Sequence, residues 1–397
     1  MFEVSEKLAS LSPSETLAMS QRSGELKAQG IDVINLSVGE PDFLTPDHIK
    51  LAAQKAIDEN YSFYSPVSGY LSLRKAIAKK LKEENGFDYR PEQIVCSNGA
   101  KQAICNVLIS IVNPGDEVII PAPYWVSYVE MVKLAGGSST VLTAGIEQGY
   151  KITSEQLESA ITPSTKAFIL CSPSNPTGAV YSREELCGFA DVLSRYPEVV
   201  VISDEIYEHI NYTGKHESIA QFESLADRTV IVNGVSKAYA MTGWRLGWIA
   251  APEWIASACN KLQGQYTSGP SSIAQKAAEA AYAGSQDCVV MMRDAFCRRR
   301  DLMVSLISDI PHARVTVPDG AFYMFPDFGH YIGKTFRGRE ILNSADLATY
   351  LLEEAHVASV GGLAFGAPNC IRFSYALCDN DLIKAMERIK DALAKLS

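Results

Sequence analysis

The stretch VVVISDEIY at residues 199–207 joins an uninterrupted apolar run, Val199-Val200-Val201-Ile202, to the polar cluster Ser203-Asp204-Glu205-Ile206-Tyr207. Consecutive apolar residues without alternation suit a strand buried on both faces of a parallel sheet, because a half-exposed strand alternates. Similar short runs recur at Ile94–Cys96, Glu117–Ile120, Ala167–Cys171, Thr229–Val232 and Leu246–Ala250. Helical patterns separate them. Thr45-Pro46 opens one helix with Ile49, Ala53, Ala56 and Ile57 on one face and Pro46 in its first turn. Ser182 and Glu185 form a capping box for a helix running toward Arg195. Ser271–Ala283 is Ala-rich and stops at Gly284, and Asp381–Leu396 is an amphipathic C-terminal helix. Alternating strands and helices predict an α/β fold with a large, mostly parallel or mixed sheet flanked by helices, plus a smaller α+β unit. The large domain is expected over residues 47–290, and a small discontinuous one from 1–46 and 291–397.

In open α/β sheets the ligand sits beyond the carboxyl ends of the strands. The residues after each run are therefore the candidates. They are Ser97-Asn98-Gly99-Ala100-Lys101-Gln102, Pro121-Ala122-Pro123-Tyr124-Trp125, Ser172-Pro173-Ser174-Asn175-Pro176-Thr177-Gly178, Ser203 to Tyr207, and Asn233-Gly234-Val235-Ser236-Lys237, with Arg245 eight residues on. Parallel strands would bring all five segments to one pocket. A glycine turn entering a helix N-terminus suits a phosphate, and Arg245 adds a charge-assisted contact to the same anion. Trp125 suits a planar ring, Asp204 a ring cation, and Asn175 and Tyr207 a ring oxygen, while Lys237 supplies an amine. Phosphate, aromatic cation, phenolate-like oxygen and aldehyde-capturing lysine together describe pyridoxal 5′-phosphate.

These residues also carry a resemblance. SNPTG at Ser174–Gly178, SDEIY at Ser203–Tyr207, SKAYAMTGWRLG at Ser236–Gly247 and NCIRFSYA at Asn369–Ala376 resemble the class I pyridoxal-phosphate-dependent aminotransferases. With Val38-Gly39-Glu40-Pro41 near the N-terminus, the chain is most similar to the bacterial aspartate aminotransferase subgroup. The resemblance implies the type I fold of pyridoxal-phosphate enzymes and a homodimer with sites at the subunit interface. It implies that Lys237 bonds the cofactor's aldehyde, Asp204 pairs with the ring nitrogen, and Asn175 and Tyr207 bond the ring hydroxyl. Trp125 matches the stacking ring, and Ala100, Lys101 and Arg245 the phosphate cradle. Tyr64 matches the tyrosine that reaches the other subunit's phosphate. Arg372 matches the clamp for the substrate α-carboxylate, assisted by Gly39, Trp125 and Asn175. Two positions depart from the family pattern: Gly234, where some members carry a phosphate-binding serine, and Ser12, where a basic residue is often associated with a distal carboxylate.

The implied reaction is a ping-pong transfer of an amino group between an L-amino acid, aspartate first, and a 2-oxo acid, 2-oxoglutarate first. Lys237 would move the Cα proton. Prephenate or aromatic substrates are the near alternative, and a β-lyase on the same cofactor a further one.

Composition excludes other classes. The chain has 397 residues, 47% of them apolar and 21% charged, and a net charge of −10. That balance argues against disorder and against a nucleic-acid partner, which calls for a basic face. No apolar run is long enough to span a membrane. The opening residues MFEVSEKLASLSPSETLAMS have no basic segment followed by an apolar one, so no export signal is expected. The nine scattered cysteines include no Cys-x-x-Cys pair, which suits reduced thiols in a cytoplasmic protein. The six histidines form no closely spaced pair, so no metal site is expected. Gly329-His330-Tyr331-Ile332-Gly333-Lys334-Thr335 looks like a phosphate loop, but three residues rather than four separate its glycines, and it reads as a surface loop.

Overall fold

The computed structural model describes residues 4–397. Its strands are β1 (Ile34–Asn35), β2 (Ile94–Ser97), β3 (Glu117–Ala122), β4 (Ser138–Thr143), β5 (Thr165–Cys171), β6 (Val200–Asp204), β7 (Thr229–Gly234), β8 (Gly247–Ala250), β9 (Tyr323–Met324), β10 (Thr335–Phe336), β11 (Arg339–Glu340), β12 (Val357–Ala358), β13 (Val360–Gly361) and β14 (Ile371–Ser374). Seven of them form one sheet in the order β2-β8-β7-β6-β5-β3-β4. Strands β3 to β7 pair in parallel, while β8 runs antiparallel to both its neighbours, β7 and β2. The sheet is thus mixed, and β2 points the same way as β7.

The continuous apolar runs have the meaning expected of them. Val118 and Ile120 pack into one core with Ile202, Val232 and the helix Ala100–Ile111, whereas Ile119 between them faces a second core with Phe168, Val201 and the helix Arg183–Leu193. Both faces of the strands are covered, so both alternate sets must be apolar. Strand β4 escapes this rule. It is the edge strand, its sequence SSTVLT is half-exposed, and no apolar run marked it.

The helix expected at Thr45-Pro46 begins at Asp47, with Pro46 at the cap rather than in the first turn. The Thr45 hydroxyl is used elsewhere, donating to the Ala240 carbonyl at 2.7 Å. Ile49, Ala53 and Ala56 are buried, but Ile57 lies on the outer face of the helix. The Ser182–Glu185 capping box forms in both directions, at 2.7 and 3.2 Å. The Ala-rich helix spans Ser272–Ala283 before Gly284, and the C-terminal helix spans Asp379–Leu393.

A separate core gathers Phe322, Met324, Leu347, Phe373 and Ile389 around the three-stranded sheet β13-β14-β9. Near it, β1 pairs in parallel with β12, matching Ile34 to Val357, so the two ends of the chain share a sheet. Gly329–Tyr331 forms a short helical turn ahead of the exposed β10–β11 hairpin, not a loop between a strand and a long helix. All nine cysteines are unpaired. Among the described residues, no helix is long and apolar enough to cross a membrane.

Candidate active site

The carboxyl ends of β2, β3, β5, β6 and β7 open on one cavity of about 500 Å³. Its lining includes Gly39, Ala100, Lys101, Trp125, Asn175, Asp204, Tyr207, Lys237, Arg245 and Arg372. Ten of the eleven residues singled out from the sequence therefore converge. Tyr64 does not. It lies in a separate surface groove and is 98% exposed.

Asp204 ends β6 at the floor of the cavity. Its carboxylate accepts the Tyr128 hydroxyl at 2.6 Å and the Ile206 N–H at 3.3 Å, and among the described residues it has no salt-bridge partner. Burial pushes its pKa up to about 6, against the opposing pull of the Tyr128 hydrogen bond. Lys237, whose Nζ donates to the Gly39 carbonyl at 2.6 Å, is drawn by burial down to about 8. At pH 7 roughly one Lys237 in ten is then neutral, against roughly one in three thousand for a lysine at 10.5. A neutral amine is a nucleophile and a base, which an ordinary lysine is not.

One end of the cavity is built for an anion. Gly99 caps the helix Ala100–Ile111, whose first-turn N–H groups lack intrahelical acceptors. Arg245 leans over this turn in the left-handed region, φ 56°, and donates to the Asn98 carbonyl at 3.1 Å and the Thr242 carbonyl at 2.9 Å. A Cβ on Gly99 would lie 2.9 Å from the guanidinium carbon, and the residue's φ of 86° lies in the region that favours glycine. Gly234 also has a steric reason. A Cβ there would sit 2.7 Å from Gly247 Cα on β8, which shuts out serine.

Arg372 lies on β14, buried in full, with no acidic partner among the described residues. Nη1 donates to Asn175 Oδ1 at 2.9 Å, Nη2 to the Ser37 carbonyl at 2.5 Å, and Nε has no partner among the described residues. Burial alone lowers its pKa. Lys101 turns its ammonium over the Trp125 ring, 5.0 Å from the centroid, and burial together with Arg245 lowers its pKa too. It shares the lining of the cavity with Ser14, Thr16 and Leu17. Ser12 stays outside, its N–H donating to Glu130 Oε2 at 2.9 Å.

Two residues in contact with this constellation had escaped the sequence reading. Tyr128 follows Trp125 by one helical turn and meets it edge-on at 5.4 Å, a spacing that reads equally well as core packing. Tyr323 bonds Tyr207 across 116 residues, and no local pattern marks such a contact.

The family model for aminotransferase class I and II matches residues 31–389. The aspartate/prephenate aminotransferase of Cereibacter sphaeroides is 49% identical over 99% of both chains. A bifunctional aspartate aminotransferase and glutamate/aspartate-prephenate aminotransferase of Petunia hybrida is 48% identical over 99% of this chain and 83% of its own. Among solved structures, an aspartate aminotransferase from Rhizobium meliloti superposes with a TM-score of 0.96 at 42% identity, covering 100% of both chains. That of Thermus thermophilus with maleate gives 0.92 at 39% identity, covering 99% of this chain and 100% of the other. With the family model spanning nearly its whole length, this chain belongs to the class I and II aminotransferases.

Proposed function

We propose that the cavity binds pyridoxal 5′-phosphate and transfers the amino group of aspartate to 2-oxoglutarate. The observation that carries the reading is Asp204: a buried carboxylate with no salt-bridge partner among the described residues, sharing one cavity with a low-pKa lysine and an anion cradle. A ring cation would supply the missing charge, the cradle at Gly99 and Arg245 suits a phosphate, and Lys237 Nζ suits an aldehyde. The donor set fits the cofactor.

When bound, pyridoxal 5′-phosphate supplies an electrophilic carbon for amines and a cationic ring that draws electrons from the substrate Cα. This chain's residues do the rest. Asp204 holds a proton on the ring nitrogen. Asn175 and Tyr207 bond the ring hydroxyl, and Trp125 covers the ring face. Ala100, Lys101 and Arg245 surround the phosphate, through backbone N–H groups at the first two. Arg372, with Asn175 and the Gly39 backbone beside it, fixes the substrate α-carboxylate and so orients the Cα–H bond. Lys237 Nζ would take that proton and hold it as an ammonium for return to the cofactor's aldehyde carbon.

Specificity for a second carboxylate is supported by charge. With Arg245 assigned to phosphate, Arg372 to the α-carboxylate and Lys237 to the aldehyde, Lys101 is the remaining cation among the lining residues, its ammonium over the Trp125 ring. The Thermus relative was solved with maleate, a four-carbon dicarboxylate. Prephenate is the second reading, favoured by the 49% identical relative, an aspartate/prephenate aminotransferase. A homodimer belongs to the proposal, supported by the exposure of Phe63, Tyr64 and Tyr266, with Tyr64 reaching the partner's phosphate. So does the division into 47–290 and a unit of 1–46 with 291–397, supported by the β1–β12 pairing. The nine free thiols support a cytoplasmic setting.

A steady-state screen of aspartate, prephenate, tyrosine and alanine against glutamate or 2-oxoglutarate tests the specificity. Aspartate with 2-oxoglutarate is expected to give the highest kcat/KM, and no turnover of aspartate would refute the assignment. Lys237→Ala should lower turnover by more than about 10⁴-fold while the chain stays folded.

A further inference from the structure

Tyr323 stands where two sheets meet. It lies on β9, paired through Ser374 to the strand that carries Arg372, and its side chain enters the cavity from that side. Its hydroxyl is 2.7 Å from that of Tyr207, which comes from the loop after β6 of the large sheet. The Arg372 guanidinium lies over its ring, 4.7 Å from the centroid. Both phenols are buried. At Gly39, whose carbonyl accepts Lys237, a Cβ would overlap the Tyr323 hydroxyl, so the backbone approach there depends on this tyrosine too.

A phenol has one proton to give. In a buried pair, one hydroxyl donates and the other accepts, and the direction decides what Tyr207 can offer the cavity. If Tyr207 gave its proton to Tyr323, it would turn a lone pair toward the cofactor's ring oxygen, itself an acceptor. If Tyr323 donates, the Tyr207 proton is free to point into the cavity. We propose that Tyr323 is a positioning residue: its hydroxyl donates to Tyr207 and fixes Tyr207 as a donor to the cofactor's ring oxygen, while its ring caps Arg372. The inference rests on the cofactor reading above and adds a residue that acts through Tyr207 without touching the reacting atoms.

Wild-type, Tyr323→Phe, Tyr207→Phe and the double variant, each loaded with pyridoxal 5′-phosphate, test it by cofactor Kd and by the pH midpoint of the bound cofactor's visible absorbance. Without the hydrogen bond from Tyr323, Tyr207 is a weaker donor and is no longer held toward the ring oxygen, which disfavours that oxygen's anionic form, so Tyr323→Phe should raise the midpoint by about 0.5–1 pH unit and weaken binding about three- to tenfold. On the Tyr207→Phe background the same change should add nothing. Tyr323→Leu, which also removes the ring from Arg372, should add a rise in KM for aspartate that Tyr323→Phe lacks. Tyr375→Phe is the control for losing a buried phenol, because its hydroxyl bonds Tyr212 and the Ala321 carbonyl outside the cavity. It should leave the midpoint unchanged. A Tyr323→Phe protein with wild-type midpoint and Kd overturns the inference, as does an undiminished effect on the Tyr207→Phe background or an equal shift in Tyr375→Phe. A wild-type protein that shows no visible band on loading defeats the cofactor reading, and this inference with it.

Discussion

Asp204 and Glu208 lie four residues apart, both buried, and their surroundings are opposite. Glu208 is fully answered. The Lys80 ammonium pairs with it, Asn85 donates to Oε1 at 2.8 Å, and Asn233 donates to Oε2 at 2.5 Å. Despite its burial, Lys80 and the nearby histidines hold its carboxyl well below the usual range. Asp204 receives a tyrosine and one backbone N–H but, among the described residues, no salt bridge, and burial pushes it up to about 6. A charge neutralised within the fold belongs to the scaffold, whereas a buried charge left short of a counter-ion marks a place where a ligand completes the structure. The same distinction disposes of the cluster Glu84, Glu208 and His209. Its oxygens and ring nitrogen lie within 4.8 Å of one another, but the Lys80 ammonium already supplies the positive charge there.

The contrast can be broken from either side. Asp204→Asn removes the unanswered charge, so turnover should fall by about 10³- to 10⁴-fold. The cofactor-free protein should melt no lower than wild type, because a desolvated carboxylate has been removed. A large loss of thermal stability in the free protein would show that Asp204 is scaffold after all. Lys80→Met does the reverse. It strands Glu208 in the interior and should cost about 3–5 kcal/mol in denaturant unfolding, with kcat per folded molecule unchanged. An undiminished midpoint would show that the ion pair contributes little.

The smallest effect is on pH. Between about 3.8 and about 6 the folded chain keeps a proton on Asp204 that the unfolded chain has lost, so this residue's contribution to cofactor-free stability is present at low pH and declines as pH rises through 6. Cofactor affinity runs the other way, since the ring cation needs the ionised carboxylate. It should weaken about five- to sixfold between pH 6 and pH 5. Equilibrium binding across that range checks the slope, and a flat profile would mean that Asp204 does not meet the ring cation. The Glu208 pair should be indifferent over the same window, its carboxyl being ionised throughout.

Much of the site was legible beforehand because parallel strands place their following loops together. Once Val199–Ile202 and its companions read as parallel strands, Asn98–Lys101, Asn175, Asp204, Tyr207 and Lys237 had to meet. Local chemistry was similarly readable: the Ser182–Glu185 box and the Gly284 stop depend on residues a few positions apart. The polar edge strand Ser138–Thr143 was not readable, since exposure on one side frees it from an apolar pattern. Nor was the exposure of Ile57, which the free chain leaves on the outer face of its helix.

By itself the sequence determined the α/β class, the strand ends that carry chemistry and the identity of eight lining residues, because each depends on short-range periodicity or on the direction shared by neighbouring strands, while Gly39 and Arg372 were named only through the family resemblance. Only the tertiary structure decided which charges are answered and by whom: Lys80 to Glu208 across 128 residues, Tyr128 to Asp204 across 76, Tyr323 to Tyr207 across 116. Those contacts depend on how sheets and helices pack, and a hydrogen bond a few tenths of an ångström wide in its tolerance carries no trace in the spacing of the chain.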